Sequence, residues 1–139
     1  MSEIYERVVV PDLDRPVMVI GLEGWIDAGI GSANAMSAIL TGADAETVAA
    51  FDADRLLDHR ARRPIMHLHE GLITGLTWPA TELRAGLDES GNDLLLLVGA
   101  EPDFEWQAFG DSVVELALEL DCRMAVVLGA YPAPVPHTR

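Results

Sequence analysis

The chain's first strong pattern is an unbroken apolar run that stops at a glycine. Val17-Met18-Val19-Ile20 is followed by Gly21-Leu22-Glu23-Gly24-Trp25-Ile26-Asp27-Ala28-Gly29-Ile30-Gly31-Ser32. Four apolar residues without alternation predict a strand buried on both faces, and the glycines predict a sharp turn out of it. From Ser32 to Leu40 the small residues Ser32, Ala33, Ala35, Ser37 and Ala38 predict a helix that can lie close on a sheet or another subunit. Strand, turn and helix leave Glu23, Trp25 and Asp27 in a crevice. Such groups are costly to bury without partners, so they call for an explanation.

The flanking patterns extend this unit into a sheet. Glu6 to Val10 reads as a short edge strand stopped by Pro11 and Asp12-Leu13-Asp14, and Thr47 to Phe51 as a second strand. Asp52 to Asp58 reads as a loop with room for one helical turn. Ile65 to Glu70 has a period of two that puts His67 and His69 on one face of a strand, and Leu83, Ala85 and Leu87 mark another strand over Thr81 to Asp88. The run Asp88-Glu89-Ser90-Gly91-Asn92-Asp93 predicts a turn into Leu94 to Val98, a buried strand, so a hairpin joins an otherwise parallel sheet. Asp103 is placed to cap a helix over Phe104 to Leu120. Its apolar stripe is Trp106, Phe109, Val113, Leu116 and Leu120, with Glu105, Asp111, Glu115 and Glu119 away from it. Met124 to Leu128 predicts a last strand, again buried on two faces. Strands alternating with helices imply a three-layer α/β/α domain over residues 1–139, with a mixed, mostly parallel sheet. Two long helices are few for about six strands, so one face is expected to be thinly covered.

Composition narrows the function. Half of the 139 residues are hydrophobic, enough for a core, while 9 arginines and no lysine face 23 acids for a net charge of −14. Nucleic acid and anionic membrane surfaces are poor partners for such a chain, which would repel phosphates. Arg60, Arg62 and Arg63 beside Pro64 are the one local basic cluster, and they read as a solvated loop. Cys122 stands alone, which excludes an internal disulfide, fits a reducing compartment and reads as a buried, inert thiol. Met1 to Val10 lacks a signal-peptide core, and no apolar run approaches the roughly 20 residues that span a bilayer. A cytoplasmic location is expected.

Three predicted strands end in glycine and then polar or aromatic residues. Gly21 precedes Glu23, Trp25 and Asp27; Gly99 precedes Glu101, Asp103 and Trp106; Gly129 precedes Tyr131, His137 and Arg139. Parallel strands would bring these loops to one edge, where ligands of open α/β sheets bind, so these groups form a candidate binding cluster. Glu101 paired with Arg139 and Asp103 used as a cap would explain the same residues structurally. Gly29-Ile30-Gly31 is no dinucleotide fingerprint, because Asn34 replaces the third glycine and Glu23 and Asp27 would repel a pyrophosphate. A P-loop is impossible without lysine. His67 and His69 have the spacing of two metal ligands but no evident third, so no metal is expected. Ser32 has no nucleophile elbow around it, and Cys122 falls at the opposite end of the sheet, so no catalytic residue is assigned and no cofactor is implied.

Five ordered motifs, Gly24-Trp25-Ile26-Asp27-Ala28-Gly29, Asp58-His59-Arg60-Ala61-Arg62-Arg63-Pro64, Trp78-Pro79, Glu101-Pro102-Asp103 with Trp106, and Pro136-His137-Thr138-Arg139, span the chain. Together they resemble the bacterial branch of the proteasome assembly chaperone 2-like family. The resemblance implies a three-layer fold similar to purine nucleoside phosphorylases and related hydrolases, commonly in oligomers. It also implies that this chain is the N-terminal half of a longer family domain. Eukaryotic relatives are non-catalytic chaperones that hold proteasome α-subunits during ring assembly, whereas bacterial relatives have no settled activity. The expectation is a cytoplasmic, protein-binding, assembly-chaperone-like module that forms homo-oligomers, with a protein partner for which the resemblance implies a relation to the proteasome. The alternative is a small-molecule enzyme, a hydrolase or transferase, using Glu23, Asp27, Glu101 and His137. Convergence of these side chains on one cavity, against their pairwise use in caps and ion pairs, separates the two readings.

Overall fold

The computed structural model describes residues 4–24 and 27–138. Eight strands and three α-helices follow one another as β1 (Tyr5–Arg7), β2 (Val17–Glu23), α1 (Gly31–Ala43), β3 (Glu46–Phe51), α2 (Ala53–Leu56), β4 (Ile65–His69), β5 (Leu72–Thr77), β6 (Thr81–Leu87), β7 (Asp93–Ala100), α3 (Trp106–Glu119) and β8 (Met124–Val127). Six strands form one sheet in the order β1-β3-β6-β7-β2-β8, and β4 with β5 forms a separate ribbon. β2 pairs in parallel with both β7 and β8, while β1–β3, β3–β6 and β6–β7 are antiparallel. Hence β2, β3, β7 and β8 all point the same way. The sheet is mixed, as expected, and the turn at residues 88–92 makes the expected hairpin, but the rest is not otherwise parallel: among the described strands two pairings are parallel and three antiparallel, because β1 also joins β3, and β3 joins β6, in antiparallel fashion.

Burial follows the period of two. Leu95 and Leu97 face α2 and α3 in the larger core, with Met18, Leu83, Leu56, Phe109 and Leu116, while Leu96 faces α1 with Val19 and Met36. Phe51 anchors the larger side by packing at 4.9 Å on Phe109 and 5.7 Å on Tyr5. The α1 side has far fewer buried side chains, so the helices cover the two faces unequally, as their number implied.

Several local expectations need correction. Residues 8–10 lie exposed beyond the first strand, which is Tyr5–Arg7. β8 is not buried on two faces. It is the sheet's edge, with Met124, Val126 and Val127 exposed by 49%, 38% and 72%. An apolar run is read as buried because burial is what such runs are for, and here nothing among the described residues pairs with the outer edge of β8. Trp106 is outside the buried stripe of α3, half-exposed at its first turn, because the helix starts later than Asp103. The residue before α3 is Glu105, in the left-handed region at φ 51°, and it makes no side-chain cap. Cys122 is only half-buried, its thiol donating to the carbonyl of Met124.

The predicted strand at Ile65 does not divide core from solvent. Every residue of β4 is exposed, and it pairs with a second strand, β5, that the sequence reading did not anticipate. Glu70 and Gly71, at φ 49° and 79°, form the two-residue connection between them, the backbone that a right-twisted hairpin requires.

Candidate functional site

Because β2, β3, β7 and β8 run in one direction, the segments that follow them meet at one edge of the sheet. Glu101 donates its amide to the carbonyl of Glu23 at 3.0 Å, and Ala28 donates to Ala130 at 2.8 Å, so the three glycine-marked loops do share that edge. Gly99, at φ 115°, lies so close to the carbonyl of Ala80 that a β-carbon would overlap it. This contact lets β6 start beside the end of β7, where Thr81 donates to Ala100 at 2.6 Å.

The individual side chains are differently employed. Asp27 reaches over the intervening turn and accepts from the amides of Ser32 at 2.6 Å and Ala33 at 3.1 Å, so it satisfies the open N–H groups of α1. The Ser32 hydroxyl donates to the carbonyl of Leu128 at 3.1 Å and ties that helix to the end of β8. Glu101 is half-buried and its carboxylate fills the space beside Gly24, where any side chain would collide with it. Glu23 is exposed at the end of β2, and His137 lies on the exposed segment 131–138. Trp25 and Arg139 lie outside the described residues, and so does the expected Glu101–Arg139 pair.

Asp103 turns away from α3 and holds a different element. Its carboxylate accepts from the amide of Asp58 at 2.8 Å and from Arg62 at 3.1 Å, while its own amide donates to Leu56 at 2.8 Å. The Asp58 amide, with Arg62 beside it, holds the Asp103 carboxyl below the usual carboxylate range against the opposing effect of burial. Asp58 in turn is lowered by hydrogen bonds from Arg60. His59 bonds Asp54 through Nε2 at 3.0 Å and meets the ring of Trp78 edge-on at 5.1 Å, with its buried Nδ1 unbonded. That arrangement fixes the proton of a neutral His59 on Nε2. Arg55 pairs with Glu105 at 3.2 Å, which holds the left-handed residue before α3.

These contacts build the root of the β4–β5 ribbon. Residues 52–64 precede it and Trp78-Pro79 follow it, so Asp103 braces the leg before the ribbon through Asp58 and Arg62, while His59, bonded to Asp54 of α2, meets Trp78 on the leg after it. Sequence reasoning about chemistry missed Asp58 and Arg62 as partners of Asp103 and His59 as the partner of Asp54 and Trp78, although two of the five motifs contain Asp58, His59, Arg62 and Trp78. Their shared presence in ordered motifs was the available signal. His67 engages Thr77 at 2.6 Å across the ribbon, and among the described residues no three or more His, Cys, Asp or Glu side chains are grouped to hold a metal ion.

Clefts open elsewhere. One of about 260 Å³ lies at the opposite edge of the sheet between Asp14, Arg15, Asn92, Asp93 and Arg123. Another, about 390 Å³ and mainly apolar, lies beside α1 against Val19, Leu87 and Leu94. None of the eight candidate residues lines either one.

The architecture defines a mixed-sheet α/β protein whose motif residues brace loops and a projecting ribbon. Residues 21–139 match the PAC2 family, and the chain belongs to it. A Corynebacterium glutamicum protein of unknown function superposes with a TM-score of 0.92 at 29% identity, over 99% of this chain and 54% of that one. A Mycobacterium tuberculosis protein of unknown function gives 0.90 at 39% identity, over 100% and 50%. A Mycobacterium tuberculosis proteasome-assembly chaperone homologue gives 0.80 at 30% identity, over 88% and 52%. The chain thus spans about half the length of the solved relatives it matches. No functionally curated protein matches it in sequence. Among the described residues, no helix is long and apolar enough to cross a membrane.

Proposed function

We propose that this chain is a non-catalytic protein-binding module, assembly-chaperone-like, that handles a proteasome-related protein partner in the cytoplasm and self-associates. The observation that carries the reading is the employment of the candidate acids. Asp27 is committed to the amides of α1 and Asp103 to the root of the ribbon, so the strand-end motifs act as braces for an exposed surface. The chaperone homologue among the solved relatives supports the same direction. The acidic charge argues against nucleic acid as the partner. The alternative, a hydrolase or transferase, needs Glu23, Asp27, Glu101 and His137 to face one cavity. With Asp27 engaged and His137 on an exposed segment, Glu101 is left to do most of that work.

The 139 residues are further proposed to be the first part of a longer family domain. Relatives of twice the length and the open apolar edge of β8 support this. The test of function is reconstitution of the intact protein with purified proteasome α-subunits from the same cell, followed by native gels and mass measurement. A defined complex that is released when the ring closes is expected. Failure to bind any α-subunit, together with turnover of a small ester or phosphate substrate abolished by Glu101→Gln, would replace this reading by the enzymatic one.

A further inference from the structure

We infer that the cleft between the turns at the amino ends of β2, β7 and β8 is a binding site for a small zwitterion, an amino acid or short peptide with a carboxylate at one end and an ammonium at the other. Arg7, Arg55, Arg60, Arg62 and Arg84 each pair with a carboxylate, and Arg63 donates to the carbonyl of Arg60. Arg15 and Arg123 do neither among the described residues, and both line this one cleft. In a chain with 23 acids, two arginines left without a carboxylate at the same place need a reason. Acids stand in the same walls. Asp93 accepts the Asp14 amide at 2.7 Å through Oδ2 and keeps Oδ1 open, while the Asp14 carboxylate pairs with neither arginine. The side-chain nitrogen of Asn92 is held by Asp88 at 2.9 Å, which leaves its side-chain carbonyl as a further acceptor. The cleft therefore presents two guanidiniums and a set of acceptors that are not spent on one another.

The walls of the cleft are tied to the sheet. Arg15 sits in the left-handed region at φ 44°, a conformation that costs a residue with a β-carbon and that recurs at ligand clamps. The turn that holds it is fixed on both sides, by the Asp14 amide on Asp93 and by the Arg123 amide on the carbonyl of Pro16 at 3.0 Å, and Pro16 itself is buried. Gly91, at φ 81°, lets the β6–β7 turn close the third wall. Both signs of charge thus stand on backbone that is set before a ligand arrives, which lowers the ordering cost of binding. The volume of about 260 Å³ is that of about eight or nine waters, suited to a molecule of amino-acid size. Net charge selects among ligands of that size. A protein at −14 repels an anion over its whole surface, and this long-range cost vanishes for a ligand whose own charges cancel. A guanidinium meets a carboxylate with two parallel N–H···O bonds, and Asp14 with Asp93 suits an ammonium. A purely anionic ligand would confront those two acids, and a purely cationic one the two arginines.

The test is an NMR titration of the isotope-labelled 139-residue chain at low ionic strength, read at backbone amides and arginine Nε–H groups, with glycylglycine, acetate and methylammonium as probes. Glycylglycine is expected to shift the signals of Arg15, Gly91, Asn92, Asp93 and Arg123 saturably, with a Kd near or below about 1 mM, and to bind at least about 10-fold more tightly than either singly charged probe. Arg123→Gln and Asp14→Asn are each expected to weaken it by about 10-fold or more, while Arg63→Gln, outside the cleft, leaves it unchanged. Arg15→Gly separates binding from folding, because glycine takes φ 44° freely: Tm is expected to hold or rise while glycylglycine binding is lost. Acetate that binds as tightly as glycylglycine, shifts at these residues that survive the loss of both arginines, or no saturable shift at up to about 50 mM overturns the assignment.

Discussion

Replacing Asp103 by alanine removes three contacts at once, one from the Asp58 amide and two from Arg62. Hydrogen bonds to a charged group contribute about 1.5–3 kcal/mol each where buried. Both Asp103 and Arg62 keep about a quarter of their side-chain exposure, so solvent screens the ion pair and the net loss is closer to about 2 kcal/mol in all. For a domain of this length each kcal/mol moves Tm by about 3–5 °C, so Asp103→Ala is expected to melt about 6–10 °C lower at pH 7. Asp103→Asn, which can still accept from the Asp58 amide, is expected to lose about half as much. The sign with pH follows from the depressed carboxyl. Its folded pKa lies below its unfolded value near 4, so the stabilisation is complete above about pH 5 and is lost as pH falls through the folded value. Melts of wild type and Asp103→Ala are therefore expected to converge as pH falls below about 4. Hydrogen exchange gives the location, with faster exchange in residues 65–77 and unchanged protection in β7. Equal Tm at neutral pH, or a gap that persists unaltered in acid, would refute the assignment of Asp103 as the brace of the ribbon.

Three further outcomes follow from the same contacts. Gly99→Ala is expected to lose about 2–4 kcal/mol in a denaturant titration, since alanine both resists φ 115° and overlaps the Ala80 carbonyl; an unchanged midpoint would show that β6 can shift. On α3, Asp111→Asn with Glu115→Gln is expected to leave Tm unchanged or slightly raised because these like charges face solvent, whereas Glu119→Gln should lower it slightly by releasing Arg7. A reversed order would misplace that face. An apolar dye is expected to bind the 139-residue chain and to bind less to Val127→Glu, because β8 exposes Met124, Val126 and Val127; equal fluorescence in both would place the dye elsewhere.

The sheet was legible at β2 and β7 because the middle of each is an apolar run lying between two neighbouring strands. Leu94 to Val98 and Val17 to Ile20 are found where the apolar runs stand, extended by one to three residues. β6 was legible for the opposite reason, since its alternating Leu83 and Ala85 are buried while Glu82 and Arg84 pair with one another in a half-buried row. Edges defeated the same logic. Met124 to Val127 has the composition of a central strand and the position of an edge, and position depends on what lies beside it rather than on its own residues. The ribbon was half-read because Glu70-Gly71 supplies the left-handed turn without the Asn-Gly or Asp-Gly pair that announces one, and because Gly75 interrupts the pattern of β5.

The site was legible at the level of its edge and not of its contacts. Strand direction alone brings Glu23, Asp27 and Glu101 into neighbouring loops, because parallel strands must end together. Which partner each acid takes depends on geometry beyond its local sequence. Asp103 stands where a helix cap should, yet α3 begins at Trp106, and the carboxylate is left free to reach Asp58 and Arg62, more than 40 positions earlier in the chain. Asp27 does the reverse. It reads as a crevice acid and serves as the cap that α1 would otherwise lack, since Ile30 at its start has no polar side chain to offer. An acid after a strand is thus equally suited to bind a ligand or to finish a helix, and in this chain both Asp27 and Asp103 are spent on backbone amides that must be satisfied before any surface can be presented.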